Sequence, residues 1–213
     1  PEAPYDLVKT MRASFYVLGP LMGRFSYAKV SLPGGCAWGP RPVDYHLKGL
    51  ERLGASIDLS QGDIIASGKL KGGTVIFEKS SVGATGNIIM AAVTAVGNTK
   101  IVNASIEPEI VSLGCFLKEM GADIQGLGTT EINIRGTKLT NNNIEFDIIP
   151  DRIEAGTFLI SGLMTKGSIN VRKINYNDIE IVVDKLLDAG AKIDSSENEL
   201  TISYDGLINP VDI

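Results

Sequence analysis

The 213-residue chain has a net charge of −5, 44% hydrophobic residues, two cysteines and one histidine. That balance excludes a disordered chain and nucleic-acid binding through bulk charge, and leaves any anion site to local clusters. Cys36 and Cys115 are too few for a disulfide framework, a lone His46 makes no Cys/His metal site, and the longest apolar run, residues 88–96, cannot span a bilayer. No metal, cofactor, nucleic acid or membrane is therefore expected, and a reducing cytoplasm fits best. The opening Pro1-Glu2-Ala3-Pro4 carries neither Met nor a basic-then-apolar leader. This suggests a piece of something longer that is not secreted.

In chain order, a first helix is predicted from Arg12-Ala-Ser onward, turning into a strand at Lys29-Val-Ser-Leu32. The segment Ser31-Leu-Pro-Gly-Gly-Cys-Ala-Trp-Gly-Pro-Arg-Pro-Val-Asp-Tyr-His46 follows. It sets the Cys36 thiol among Gly34, Gly35 and Gly39 and holds Arg41 between Pro40 and Pro42. Glycines leave room for a ligand, and a residue before proline is extended, so Arg41 stands on a stiff stem suited to phosphate or carboxylate. Its charge favours the Cys36 thiolate. The same residues also read as a glycine-proline surface turn with an incidental cysteine. Trp38 reads either as part of a lid or as a packing residue. His46 reads as a group orienting Asp44 or as a helix-start histidine with a local hydrogen bond.

Further along, Glu78-Lys-Ser-Ser-Val-Gly83 leads into a helix at Gly83-Ala-Thr. Free N–H groups at a helix start, Lys79 and the Ser81 hydroxyl make an anion site; alternatively, Ser80 or Ser81 merely caps the helix. A strand at Lys100-Ile-Val102 and a helix opened by Glu107-Pro-Glu109 come next. Within that helix Cys115 is expected to be a buried structural thiol. The alternating Glu131-Ile-Asn-Ile-Arg135 is a half-buried strand, and Asn141-Asn142-Asn143 is a turn. After Asp147-Ile-Ile-Pro150 the pattern restarts: a helix from Glu154-Ala-Gly-Thr, a strand at Ser168-Ile-Asn-Val171, a helix opened by Asn177-Asp178, and a strand at Glu199-Leu-Thr-Ile-Ser203.

The restart is a repeat. Leu50-Glu-Arg-Leu-Gly-Ala-Ser-Ile57, Leu117-Lys-Glu-Met-Gly-Ala-Asp-Ile124 and Leu186-Leu-Asp-Ala-Gly-Ala-Lys-Ile193 end a helix alike, their glycines 67 and 69 residues apart. Each predicts a left-handed glycine cap and a return into a strand. Ala13, Ala84 and Ala155, near the starts of the other helices, are spaced by 71 and 71. The unit is an α/β module of about 70 residues with two helices and several strands.

These segments resemble the UDP-N-acetylglucosamine 1-carboxyvinyltransferases, enolpyruvyl transferases of peptidoglycan synthesis. The likeness rests on Leu32-Pro-Gly-Gly-Cys-Ala-Trp-Gly-Pro-Arg-Pro-Val-Asp44, with Leu7-Val-Lys-Thr-Met-Arg-Ala-Ser14, Lys79-Ser-Ser-Val-Gly-Ala-Thr85, Glu107-Pro-Glu109 and Pro150-Asp-Arg-Ile-Glu154 in the same order. It covers essentially the whole chain. The cysteine loop is the specific part, since the related enolpyruvylshikimate-phosphate synthases lack it.

The resemblance implies an incomplete inverse α/β barrel architecture, with residues 1–150 forming two repeats of the cysteine-loop domain (its first repeat absent) and residues 151–213 the first repeat of a second domain. It implies transfer of the enolpyruvyl group of phosphoenolpyruvate to the 3-hydroxyl of UDP-N-acetylglucosamine. By the same resemblance Cys36 is the proton donor, adduct-former and fosfomycin target, and Arg41 meets phosphoenolpyruvate and the nucleotide. Pro42, Val43, Asp44 and Tyr45 form the uridine stretch, Arg12 stands at the nucleotide-sugar site, and Lys79, Ser80, Ser81, Val82 and Gly83 surround the diphosphate. Glu107, Glu109, Asp151 and Glu154 match acidic positions that read equally well as helix-start acids.

The family's Lys-Asn pair, its proposed aspartate base and a further arginine clamp have no counterpart in these residues. The isolated chain is therefore expected to be inactive and to associate with the missing segments or with itself. A non-catalytic UDP-sugar-binding relative, a 3-phosphoshikimate transferase-like enzyme and a purely structural repeat protein remain as alternatives.

Overall fold

Every segment expected to end in a Gly-Ala pair does so in the same geometry. A computed structural model describes residues 1–33, 43–141, 143–204 and 206–212. Cys36, Trp38, Arg41, Pro42 and Asn142 lie outside the described residues. Two units divide the chain, Pro1–Asp147 and Ile148–Ile213, each with its own apolar core.

The first unit runs β1 (Glu2–Ala3), α1 (Tyr5–Val8), a 3₁₀ helix (Arg12–Val17), α2 (Leu18–Phe25), β2 (Tyr27–Ser31), α3 (Asp44–Arg52), β3 (Ser56–Ser60) and β4 (Asp63–Ser67). It continues with β5 (Thr74–Ile76), α4 (Val82–Ala92), β6 (Asn98–Val102), α5 (Pro108–Glu119), β7 (Asp123–Gln125) and β8 (Glu131–Arg135). The second unit holds α6 (Arg152–Met164), β9 (Ser168–Arg172), a 3₁₀ turn (Tyr176–Asp178), α7 (Glu180–Asp188), β10 (Lys192–Ser196) and β11 (Glu199–Ser203). Among the described residues no helix is long and apolar enough to cross a membrane.

The three sheets restate the repeat. Strand orders are β1-β2-β4-β3 and β5-β6-β8-β7, with the first pair parallel and the rest antiparallel. The third sheet, β10-β11-β9, keeps the antiparallel part. Register agrees as well: Val30 pairs with Ile64, Ile101 with Ile132, and Ile202 with Ile169. Alternation explains this, because a slip of one residue would turn every inward side chain to solvent.

Helices α3, α5 and α7 close with one motif. Gly54, Gly121 and Gly190 have φ of +93°, +99° and +96°. Their N–H groups donate to Glu51, Lys118 and Leu187, while the following Ala55, Ala122 and Ala191 donate to Leu50, Leu117 and Leu186. This is the Schellman pattern, which satisfies carbonyls that the helix end would otherwise leave without partners.

Two expected helices start differently. The segment from Arg12 is 3₁₀ before it becomes α-helical at Leu18. Pro20 accounts for this, since its ring would clash with the carbonyl of Tyr16 in a continuous α-helix, whereas the first turn of α2 tolerates it. The Asn177-Asp178 opening is likewise a 3₁₀ turn, with the Asn175 side chain accepting from the Asn177 N–H, and α7 begins at Glu180. Cys115 is a correction: it is exposed. The inner face of α5 is set by Ile110, Gly114 and Leu117, with Leu127 packed over Gly114, and Cys115 is rotated off that face.

Helices α2 and α4 cross closely at the centre of the first unit. A Cβ on Gly19 would lie 2.3 Å from the Asn87 carbonyl oxygen, and one on Gly23 would lie 2.7 Å from Thr94 Oγ1. The crossing matters for the site, because it draws together the starts of the helices that line it.

Candidate active site

Three segment ends converge on a cavity of about 540 Å³. The 3₁₀ helix contributes Arg12, Phe15 and Tyr16, the first turn of α3 contributes Tyr45 and His46, and the lead-in to α4 contributes Lys79, Ser80, Ser81 and Gly83. Arg12 and Lys79 supply positive charge. Helix geometry leaves the Val82 and Gly83 N–H groups without intrahelical acceptors, so the α4 start adds donors. The arrangement favours an anion with several acceptor oxygens.

Ser81 is the N-cap of α4, its Oγ accepting from the Ala84 N–H at 3.3 Å. Val43 precedes α3 and Asp44 opens it. One Asp44 oxygen meets Lys48 Nζ at 3.3 Å; the other, Oδ1, is buried with no hydrogen-bond partner among the described residues. Tyr45 packs against Phe77, ring centroids 5.9 Å apart. The described structure thus brings Arg12, Tyr45, Lys79, Ser80, Ser81 and Gly83 around one cavity, with Val43, Asp44 and Val82 flanking it.

The acidic candidates sort as helix-start residues. Asp151 Oδ1 accepts from the N–H groups of Ile153 and Glu154, at 2.8 and 3.0 Å. Glu107 stands at the N-cap position of α5 with no side-chain cap bond, accepts from the Ser105 hydroxyl and is followed by Pro108. Burial, then Glu109 and Glu107, push the Tyr16 phenol above its ordinary range, so it stays a neutral hydroxyl.

His46 corrects the sequence reading. Its backbone N–H makes a local bond to the Val43 carbonyl, but the partner of the imidazole among the described residues is Asn87, 41 residues on, at 2.8 Å. Burial and then Arg12 lower the His46 pKa to about 4, with Asp44 partly opposing. The imidazole is therefore neutral at pH 7. Asn87, Tyr16 and Phe15 went unnoticed in the sequence. For Asn87 a signal existed: an amide inside the apolar run of α4 must find partners when buried.

The sequence pattern of the family described as EPSP synthase (3-phosphoshikimate 1-carboxyvinyltransferase) matches residues 1–213. The chain belongs to this family. It is 52% identical over 215 residues to a protein of Prosthecochloris aestuarii named UDP-N-acetylglucosamine 1-carboxyvinyltransferase, covering 100% of this chain and 50% of that protein. Similar relatives are a protein of the same name from Campylobacter hominis, 46% identical, and UDP-N-acetylglucosamine 1-carboxyvinyltransferase 2 from Carboxydothermus hydrogenoformans, 49% identical, with 51% of each covered. The chain spans about half the length of the curated relatives it matches. Among solved structures, the enolpyruvyl transferase NikO from Streptomyces tendae aligns with a TM-score of 0.79 at 22% identity, over 95% of this chain and 49% of that one. EPSP synthase from Acinetobacter baumannii aligns with a TM-score of 0.62 at 20% identity, over 90% and 46%. The fold is that of the enolpyruvyl transferases, as the sequence resemblance implies.

Proposed function

We propose that this member of the family forms part of the active site of a UDP-N-acetylglucosamine 1-carboxyvinyltransferase. The reaction moves the enolpyruvyl group of phosphoenolpyruvate to the sugar 3-hydroxyl and releases phosphate, the first committed step of peptidoglycan synthesis. One observation carries the reading: a single cavity is shared by Arg12, Lys79, the α4 start and the first turn of α3. Relatives 46–52% identical along this whole stretch bear that name, which favours the nucleotide-sugar acceptor over 3-phosphoshikimate.

In this mechanism a proton from Cys36 reaches the methylene carbon of phosphoenolpyruvate and leaves a cationic centre for the sugar hydroxyl to attack, the hydroxyl's own proton passing to a base outside these residues. Loss of phosphate and of a proton from the same methyl carbon then restores the double bond. Fixed cations suit the departing phosphate, because no solvent need reorganise around it. Arg12, Lys79 and the N–H groups of Val82 and Gly83 hold the diphosphate, while Val43, Asp44 and Tyr45 receive the uridine, with Asp44 Oδ1 open to a donor. By the family resemblance, Cys36 and Arg41 act on phosphoenolpyruvate. The setting is cytoplasmic, where such a thiol stays reduced and open to fosfomycin.

Calorimetric titration of the chain with UDP-N-acetylglucosamine should show binding that is weakened at least tenfold in Lys79→Ala, with no heat from 3-phosphoshikimate. Phosphate release from phosphoenolpyruvate should be absent with the chain alone and, with its whole reading frame, should require UDP-N-acetylglucosamine. Binding of 3-phosphoshikimate instead, or binding of neither, overturns the reading. UDP-N-acetylglucosamine binding with no phosphate release from either sample would make the protein a non-catalytic relative.

A further inference from the structure

We propose that the side-chain amide of Asn87 is a positioning group that fixes His46 as its Nε2–H tautomer and so presents an uncharged, directional N–H donor to an oxygen of the ligand in the cavity. What each partner can donate or accept fixes the tautomer. The backbone N–H of Gly19 only donates, and it lies 2.6 Å from the Asn87 side-chain oxygen. That contact fixes the orientation of the amide without appeal to its appearance. The amide nitrogen then faces two groups, the Phe15 carbonyl at 3.1 Å and His46 Nδ1 at 2.8 Å. An NH₂ group has nothing but hydrogens to offer, so Nδ1 must be the bare nitrogen and the ring proton sits on Nε2.

Packing holds this arrangement in place. Asn87 is fully buried and His46 is 5% exposed. Gly19 has no room for a Cβ against the Asn87 carbonyl, and the Phe15 ring meets the imidazole edge-on, centroids 5.0 Å apart and planes at 78°. The other edge of the ring faces Gly83: a Cβ there would lie 3.1 Å from His46 Cε1 and 3.2 Å from Nε2. Gly83 and His46 both line the cavity, and Nε2 is on the ring edge that faces Gly83. One amide thereby ties the 3₁₀ helix that carries Arg12, the start of α2, the first turn of α3 and α4 itself into one register.

Charges around the ring act in both directions. Arg12 from the 3₁₀ helix opposes a second ring proton, and Lys79 lines the same cavity; Asp44 on the ring's own helix opposes them. From α5, Glu107 and Glu109 act on Tyr16. A neutral donor complements Arg12 and Lys79, since it adds direction to anion binding without adding charge, and it does not titrate between pH 5 and 8. That its acceptor is an oxygen of a nucleotide sugar rests on the function proposed above; the tautomer does not.

His46 is the sole histidine in the 213 residues, so a uniformly ¹⁵N-labelled sample gives one imidazole pattern in a long-range ¹H–¹⁵N spectrum. Without ligand, Nδ1 should show the shift of an unprotonated nitrogen and Nε2 that of a protonated one, unchanged from pH 8 to 5. Protonation on Nδ1, or at both nitrogens, near pH 7 overturns the proposal with no variant needed. Asn87→Asp keeps an acceptor for Gly19 while placing a carboxylate against Nδ1. It should move the proton to Nδ1 and raise the ring pKa by roughly one unit or more. An unchanged pattern in folded Asn87→Asp counts against the lock. Saturating UDP-N-acetylglucosamine should shift the Nε2 proton downfield, and an unmoved signal in a sample shown by calorimetry to be saturated removes the donor role. Absence of any calorimetric binding would instead count against the proposed function and leave the tautomer result standing.

Discussion

Helices α4 and α6 occupy the same place in the repeat, and both are apolar nearly all the way round. In α4 the residues from Ala84 to Ile89, with Ala91 and Ala92, are buried, and α2, α3 and α5 pack around them. In α6 the residues Ala155, Leu159 and Leu163 are buried against β9, β11 and α7, while Ile153 (65%), Phe158 (53%) and Met164 (70%) are exposed. One pattern thus gives one helix enclosed along most of its length and one helix with an open apolar side. A helix that is hydrophobic all round calls for neighbours on every side, and the local sequence does not supply them. The same contrast separates the two units chemically. The enclosed helix carries a polar residue, Asn87, whose partners come from three other segments; in α6 the hydroxyls of Thr157, Ser161 and Thr165 bond back to carbonyls of their own helix.

The contrast is sharpest in the cost of cavities. Ile88→Ala in α4 should destabilise the first unit by about 2–5 kcal/mol, and Phe158→Ala in α6 the second by roughly 1 kcal/mol or less, read by urea unfolding with amide exchange reporting each unit. Equal costs would refute the difference in enclosure. The next effect belongs to pH. The folded pKa of His46 is depressed to about 4 from 6.5, so the unfolded chain takes up a proton first and stability is lost as pH falls. The first unit should lose about 3 kcal/mol from this ring between pH 6.5 and 4. The second unit, with no histidine, should lose none from this source, and His46→Gln should flatten the difference.

Smaller still, Gly54→Ala and Gly190→Ala should each cost about 1–2 kcal/mol, nearly equally, because both glycines sit at the same positive φ. A large inequality would show that the caps are not equivalent. Last, Ile153→Gln with Phe158→Gln should leave the melting temperature within a degree or two while lowering the binding of an apolar dye. A steep loss of stability would mean that this side of α6 is already covered.

Much of the architecture was legible because its signals are short-range. Gly-Ala after Leu-x-x-x announces a Schellman cap, and Glu131–Arg135 and Glu199–Ser203 alternate as half-buried strands, with Ile132, Ile134, Leu200 and Ile202 inward. The helix beginning at Arg12 was only half legible, since the effect of Pro20 on the turn before it competes with the apolar pattern. The exposure of Cys115 is not legible in the sequence, because a mostly apolar helix does not declare which side faces its neighbours. At the site, cations and a helix start could be seen in Arg12 and in Lys79–Gly83, but their meeting around one cavity could not.

By itself, then, the sequence determined the repeat, its caps, its half-buried strands and the residue types of an anion site, since each unit of these is written in a short local pattern. Only the tertiary structure decided that Asn87 meets Gly19, Phe15 and His46, 68, 72 and 41 residues away, and that α4 is enclosed while α6 is not. Those outcomes depend on how closely helices can cross, which the absent side chain of Gly19 permits and no local pattern announces.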